Sequence, residues 1–228
     1  MIQRERTPDP ISEVLHYIAS HESAEQGMPS LNDLSEELGI GMATLREQME
    51  VARALGFVEI RQRKGMRRLP YNFLPALRQS LGYAITLDQK YFMMFADLRR
   101  HIEAAYWHQA VILLSEQDKA ELQMIIARAW SKLRGTPIQI PHDEHRKLHL
   151  TIFSKLENPF VTGILEAYWE AYEAVGLNVY SDLKYYQDVW TYHQTMVDAI
   201  IHDDSERGYQ ALIEHSDLIN QLIDSINK

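Results

Sequence analysis

His145 and His149 stand four residues apart in His145-Arg-Lys-Leu-His149, a spacing that puts both imidazoles on one face of a helix. His193 and His215 follow in similar amphipathic patterns. Met196, Val197 and Ile200 lie beside the first, and Leu212, Leu218 and Ile219 beside the second. Neutral imidazole is a frequent ligand of divalent metals, and helical bundles build metal sites from side chains on facing helices. The chemistry within reach is capture of one ion by nitrogen ligands, which suits Zn or Ni. Against this stands the commoner fate of a histidine near a core face, a hydrogen-bonded interior residue, and the chain has 10 histidines.

Catalytic signatures are missing. No Gly-rich phosphate loop, Gly-x-Ser-x-Gly or His-Glu-x-x-His occurs. A metal-dependent hydrolase needs an open metal position and a base. The nearest candidate base, Glu214, is the immediate neighbour of His215 and so faces another direction. The chain is therefore not expected to be an enzyme.

The histidines must be positioned by helices, because from residue 79 to 228 only helical periodicity is visible. One long helix is expected from Thr86. Ser115, with Asp118 in the capping-box position, begins another that stops at Gly135. Further helices are expected over about 142–157, 159–178, 182–202 and 205–227, with breaks at Asn158-Pro159, Gly176 and Asp203-Asp204. The implied fold class is mostly α. Its larger part is an all-α bundle of six or seven helices, preceded by a linker over 71–78 that Pro70 and Pro75 mark. The aromatics Tyr168, Trp169, Tyr172, Tyr180, Tyr185, Tyr186, Trp190 and Tyr192 fall at helical spacing, as core or dimer contacts or as lining of a ligand cavity.

Residues 1–70 have a different rhythm. Ile11, Val14, Leu15 and Ile18 mark a first helix, and Ser30 with Asp33 caps a second that ends at Gly39. A third begins near Met42 and carries Leu45, Met49, Ala52 and Leu55. Gly56 to Ile60 alternates like a strand, and Arg61-Gln-Arg-Lys-Gly-Met-Arg-Arg68 is strongly basic. Helix, helix-turn-helix and basic hairpin make a winged helix-turn-helix, whose wing charges suit a phosphate backbone. Net charge is −9, so this local cluster matters more than the sum. The chain has no cysteine, no secretory leader and no apolar run of membrane-spanning length. Those features fit a cytoplasmic protein.

Met28-Pro-Ser30, Leu34, Glu37-Leu-Gly39, Thr44-Leu-Arg46-Glu47 and Leu55-Gly-Phe-Val58 resemble the DNA-binding domain of GntR-type transcriptional regulators. The resemblance implies contacts to operator DNA from Ser30, Thr44 and Arg46, and a wing tip at Gly65, flanked by Arg63, Lys64 and Arg67. It also implies a homodimer on a pseudo-palindromic site. The chain departs from the family at Asn32 and at Met42, where arginines are usual, and at Gly41, where serine is.

The block from His145 to Pro159, the His193 segment and the His215 segment resemble the FCD ligand-binding domain of the FadR subfamily, an antiparallel helical bundle. By that resemblance His149, His193 and His215 ligate a divalent metal, and Arg99, in Asp97-Leu-Arg99 followed by Glu103, binds the carboxylate of a small effector. His145 occupies the place of the family's aspartate ligand. An all-histidine site, a three-histidine site completed by water and a site without metal all remain open. Four neutral imidazoles would leave the ion's charge uncompensated, favouring an anionic effector or hydroxide as a further ligand. The function implied is a DNA-binding regulator that senses a carboxylate-type metabolite. The alternative is a metal-dependent helical enzyme with a vestigial DNA-binding domain.

Overall fold

The computed structural model describes residues 11–21, 28–61, 65–175 and 183–226, and the chain divides into two compact units, residues 1–76 and 77–228. In the first, α1 (Glu13–Ser20), α2 (Leu31–Leu38) and α3 (Met42–Ala54) precede a hairpin of β1 (Val58–Arg61) and β2 (Gly65–Arg68). Leu34, Leu45 and Met49 meet Val14 and Ile18 in its core, and Val58 and Met66 close that core from the hairpin.

Both ends of α2 are set by local chemistry. Ser30 Oγ accepts from the Asp33 N–H, and the Asp33 carboxylate accepts from the Ser30 N–H, so two orphan donors of the helix start are satisfied at once. Such a cap is worth roughly 1 kcal/mol. Gly39 ends α2 at φ 65°, a left-handed conformation that costs other residues more than glycine. The hairpin is antiparallel, with Glu59 opposite Arg67 and Ile60 opposite Met66.

The second unit is built from α4 (Leu74–Leu87) after its first turn, α5 (Lys90–Ile112), α6 (Glu116–Leu133), α7 (His142–Ile152), α8 (Pro159–Val175), α9 (Leu183–Ile201) and α10 (Ser205–Ile226). Its main contacts run α5 to α8, α8 to α7, α7 to α6, α6 to α9, α9 to α10 and α10 back to α5. Six helices thus close a ring around a core that includes Trp107, Leu122, Ile125, Leu148, Ile152, Trp190 and Met196. Among the described residues no helix is long and apolar enough to cross a membrane.

The division between the units falls within the expected linker, and one expected helix start is misplaced. Residues 74–78 of the expected linker are helical, because Pro75 sits in the first turn of α4, where a missing N–H costs no hydrogen bond. The Asn72 side chain accepts from the Leu74 N–H at 2.9 Å and supplies the start signal. Thr86 begins no helix. Its hydroxyl donates to the Gly82 carbonyl one turn back, inside α4, and α5 starts after Asp88, whose carboxylate accepts from the Lys90 N–H at 2.9 Å. Asp118 and Ser115 form the expected box at the start of α6.

Candidate metal centre

Three helices of the ring deliver the histidines: α7 brings His145 and His149, α9 brings His193, and α10 brings His215. Each projects inward because it lies on its helix's apolar stripe, beside Leu148 and Ile152, Val189 and Met196, and Ala211 and Leu212. The four rings meet, and each offers a ligand nitrogen within 4.8 Å of the others. His149, His193 and His215 are each 0% exposed. His149 Nε2 lies 3.2 Å from His193 Nε2, and the rings of His193 and His215 are 4.4 Å apart at their centroids.

Burial sets their protonation. Desolvation holds all four well below the usual histidine range, with Arg99 and, for His145, His193 and His215, the neighbouring rings adding to it, so they are neutral near pH 7 and each keeps a lone pair. Several of their ring nitrogens have no partner. His145 Nε2, His193 Nδ1 and both ring nitrogens of His215 are buried without a hydrogen bond among the described residues. An interior normally satisfies such atoms, and a cluster of four rings, three of them with unpartnered nitrogens, is the donor set that a borderline-soft divalent ion requires. The residues therefore fit a metal.

A second layer comes from α5 and α8. The Arg99 guanidinium, 2% exposed, lies 2.8 Å from the carboxylate of Glu103, 0% exposed, and 2.7 Å from His149 Nδ1. It stacks on the Tyr168 ring at 4.6 Å and faces Trp169 at 5.3 Å, placements in which aromatic faces stabilise a buried cation. Burial pushes the Glu103 carboxyl up while Arg99 pulls it down, and Glu103 Oε2 has no partner among the described residues. Sequence reasoning placed Arg99 at the effector. It missed that Glu103 reaches His149 Nδ1, at 3.0 Å, a contact across 46 residues of chain. It also gave Tyr168 and Trp169 no particular role. Glu214 is exposed, turned from the cluster as its position beside His215 requires. Tyr180 and Gly176 lie outside the described residues.

The DNA-side residues do not form one cluster. Thr44 and Arg46 are exposed on the first turns of α3, and Ser30 is exposed with its hydroxyl committed to the α2 cap. Gly65 opens β2 at φ 79°, the left-handed conformation of a hairpin tip. Arg63 and Lys64 lie outside the described residues. Arg67 is exposed but paired across the strands with Glu59, so part of its charge is already answered within the wing. The motif pattern could not show this, because it requires the strand register.

Comparison with known proteins gives the arrangement a context. Residues 95–218, more than half of the chain, match the FCD domain family. Over 195 residues the chain is 25% identical to the uncharacterized HTH-type transcriptional regulator YieP of Escherichia coli K12, covering 81% of this chain and 80% of that protein. Among solved structures, a Streptococcus agalactiae GntR protein superposes with a TM-score of 0.65 at 15% identity, covering 91% of this chain and 95% of the other. E. coli McbR/YncC does so with a TM-score of 0.52 at 17% identity, covering 92% of each chain. These similarities are to regulators rather than enzymes, and the fold they share is a winged helix followed by a helical bundle.

Proposed function

From the premise that this chain belongs to the FCD-domain family and is a GntR-type transcriptional regulator, we propose that its helical unit is a metal-assisted sensor of a small carboxylate-type metabolite. His145, His149, His193 and His215 hold one divalent ion, Zn or Ni by the nitrogen character of the donors. Bound there, the ion supplies a Lewis-acidic position for an effector oxygen. Arg99 supplies the cationic partner for the effector's carboxylate, and the aromatic wall of Tyr168 and Trp169 keeps that guanidinium in place. The observation that carries the reading is the burial together of four neutral imidazoles, three of which have ring nitrogens without a hydrogen bond among the described residues.

The output is operator binding by the winged helix. Thr44 and Arg46 face bases or phosphates from α3, Ser30 lies at the start of α2, and Gly65 with Arg63, Lys64 and Arg67 approaches the backbone from the wing. The working form is a homodimer on a pseudo-palindromic site. Tyr83, Leu87, Tyr91, Met94 and Leu98 support this, since they follow one another along α4 and α5 at spacings of three and four and are all exposed. Effector binding changes operator affinity through the coupling free energy between the two sites. The setting is the cytoplasm, beside the DNA.

Elemental analysis of full-length protein purified without a His-tag tests the sensor. The expected result is one equivalent of divalent metal, lost on replacing His149 and His193 together, and metal that survives that replacement sinks the site. Gel shifts at varied salt test the output. Neutralising Arg63, Lys64 and Arg67 is expected to flatten the log–log salt slope by about 2 to 3, at about 0.9 per phosphate contact removed. An unchanged slope removes the wing from the interface.

A further inference from the structure

Nδ1 of His149 has two neighbours that make opposite demands. Arg99 Nη2, which can only donate, lies 2.7 Å away, and Glu103 Oε1, which as a carboxylate can only accept, lies 3.0 Å away. A neutral imidazole nitrogen carries either a proton or a lone pair, so one of these contacts at a time is a hydrogen bond. The choice determines the other side of the ring. When Arg99 donates to Nδ1, the proton sits on Nε2 and donates toward His193 Nε2 at 3.2 Å, pointing into the cluster. When Nδ1–H donates to Glu103, the Nε2 lone pair faces the other three imidazoles instead. Only the second tautomer offers a ligand atom from Nε2.

We propose that Glu103 and Arg99 are opposed positioning residues that set the tautomer of His149, and that metal capture accompanies exchange from the Arg99-bound to the Glu103-bound form. The proposal rests on the metal-sensor reading above. The ring is neutral in both forms: one proton is lost from Nε2 and one is gained at Nδ1, both exchanged with bulk solvent as the bundle opens to admit the ion. Glu103 is suited to the task. It is fully buried, shares Oε1 with Arg99 at 2.8 Å, and brings a carboxylate into contact with the cluster, so it also answers the charge that four neutral rings leave uncompensated. A carboxylate that accepts from the distal N–H of a metal-bound histidine orients the ring and raises its basicity.

Two substitutions should act with opposite sign, which a merely structural role would not produce. In visible-absorbance titrations of the full-length, metal-free protein with Co(II), Glu103→Gln is expected to weaken binding by about 10- to 100-fold. Arg99→Met keeps an apolar chain against Tyr168 and Trp169 but removes the competing donor, and is expected to tighten binding severalfold. Weakening by both, or by neither, overturns the proposal. Independently of any effect on folding, ¹⁵N-histidine NMR of the unsubstituted chain should show one neutral ring, the one whose signals vanish in His149→Gln, passing from Nε2–H to Nδ1–H on adding Zn(II). A ring already in the Nδ1–H form before Zn(II) is added also overturns it. If the unsubstituted protein binds no Co(II), the metal-sensor reading and this inference fall together. If it binds Co(II) while the variants show no opposed effect, the inference alone falls.

Discussion

Taking the metal-free protein from pH 7.5 to 5.5 should remove a large part of the stability of its helical unit. His145, His149, His193 and His215 are held well below the ordinary range by burial, with the charge of Arg99 and, for all but His149, the neighbouring rings adding to it. Below about pH 6.5 the unfolded chain therefore binds protons that the folded chain refuses, and stability falls as pH falls. At pH 5.5 each unfolded ring is about nine-tenths protonated, so each contributes a loss on the order of 1 kcal/mol and the four together several kcal/mol. Partly buried His142 is lowered as well and acts in the same direction. Glu103, raised by burial, acts in the opposite direction as a single group and only trims the sum. The loss is comparable to the whole stability of an ordinary domain, about 5 to 15 kcal/mol. All four tryptophans, Trp107, Trp130, Trp169 and Trp190, lie in residues 77–228, so urea unfolding followed by their fluorescence reports on this unit. A change below about 1 kcal/mol between the two pH values would show that the rings are not buried together as neutral groups. Replacing His215 by Leu should remove about a quarter of the slope.

Zn(II) added to the metal-free protein should raise the melting temperature of the tryptophan-reported transition, corresponding to about 2.7 kcal/mol at a free concentration 100 times Kd. The His149→Gln/His193→Gln variant should show no such rise. Two glycine substitutions should differ in sign. At Gly208 an added Cβ would stand 2.5 Å from the ring of buried Trp107, which is tethered by its N–H donating to the Ser205 carbonyl at 2.9 Å, so Gly208→Ala should cost about 1 to 3 kcal/mol. At exposed Gly82, inside α4, an added Cβ meets nothing within 4 Å, and Gly82→Ala should gain about 0.5 to 1 kcal/mol in urea unfolding.

The features legible in the sequence are those whose partners lie within one or two helical turns. The boxes Ser30–Asp33 and Ser115–Asp118 span three residues, and the structure forms both. Gly39 ends α2 where its backbone freedom is needed, and apolar residues at helical spacing mark α1, α3 and α6 to α10. The same local logic misled at Thr86, because a threonine hydroxyl is satisfied as well by a carbonyl one turn back within a helix as by a free amide at its start. It said nothing of Glu59 meeting Arg67, which depends on which residues the hairpin register sets opposite.

The spacing of His145 and His149 determined that two imidazoles share a face, since four residues are nearly one helical turn. The residue pattern also determined that the chain folds as a winged helix followed by helices. It could not determine that His193, 44 residues beyond His149, and His215 on the last helix reach the same point, or that Arg99 and Glu103 arrive from the opposite side of the ring with conflicting demands on one nitrogen. Those contacts exist because α5 closes the ring against both α8 and α10, excluding water from the space that the side chains share. Exclusion of water, a property of the closed bundle rather than of any helix in it, keeps the imidazoles neutral and leaves their lone pairs vacant.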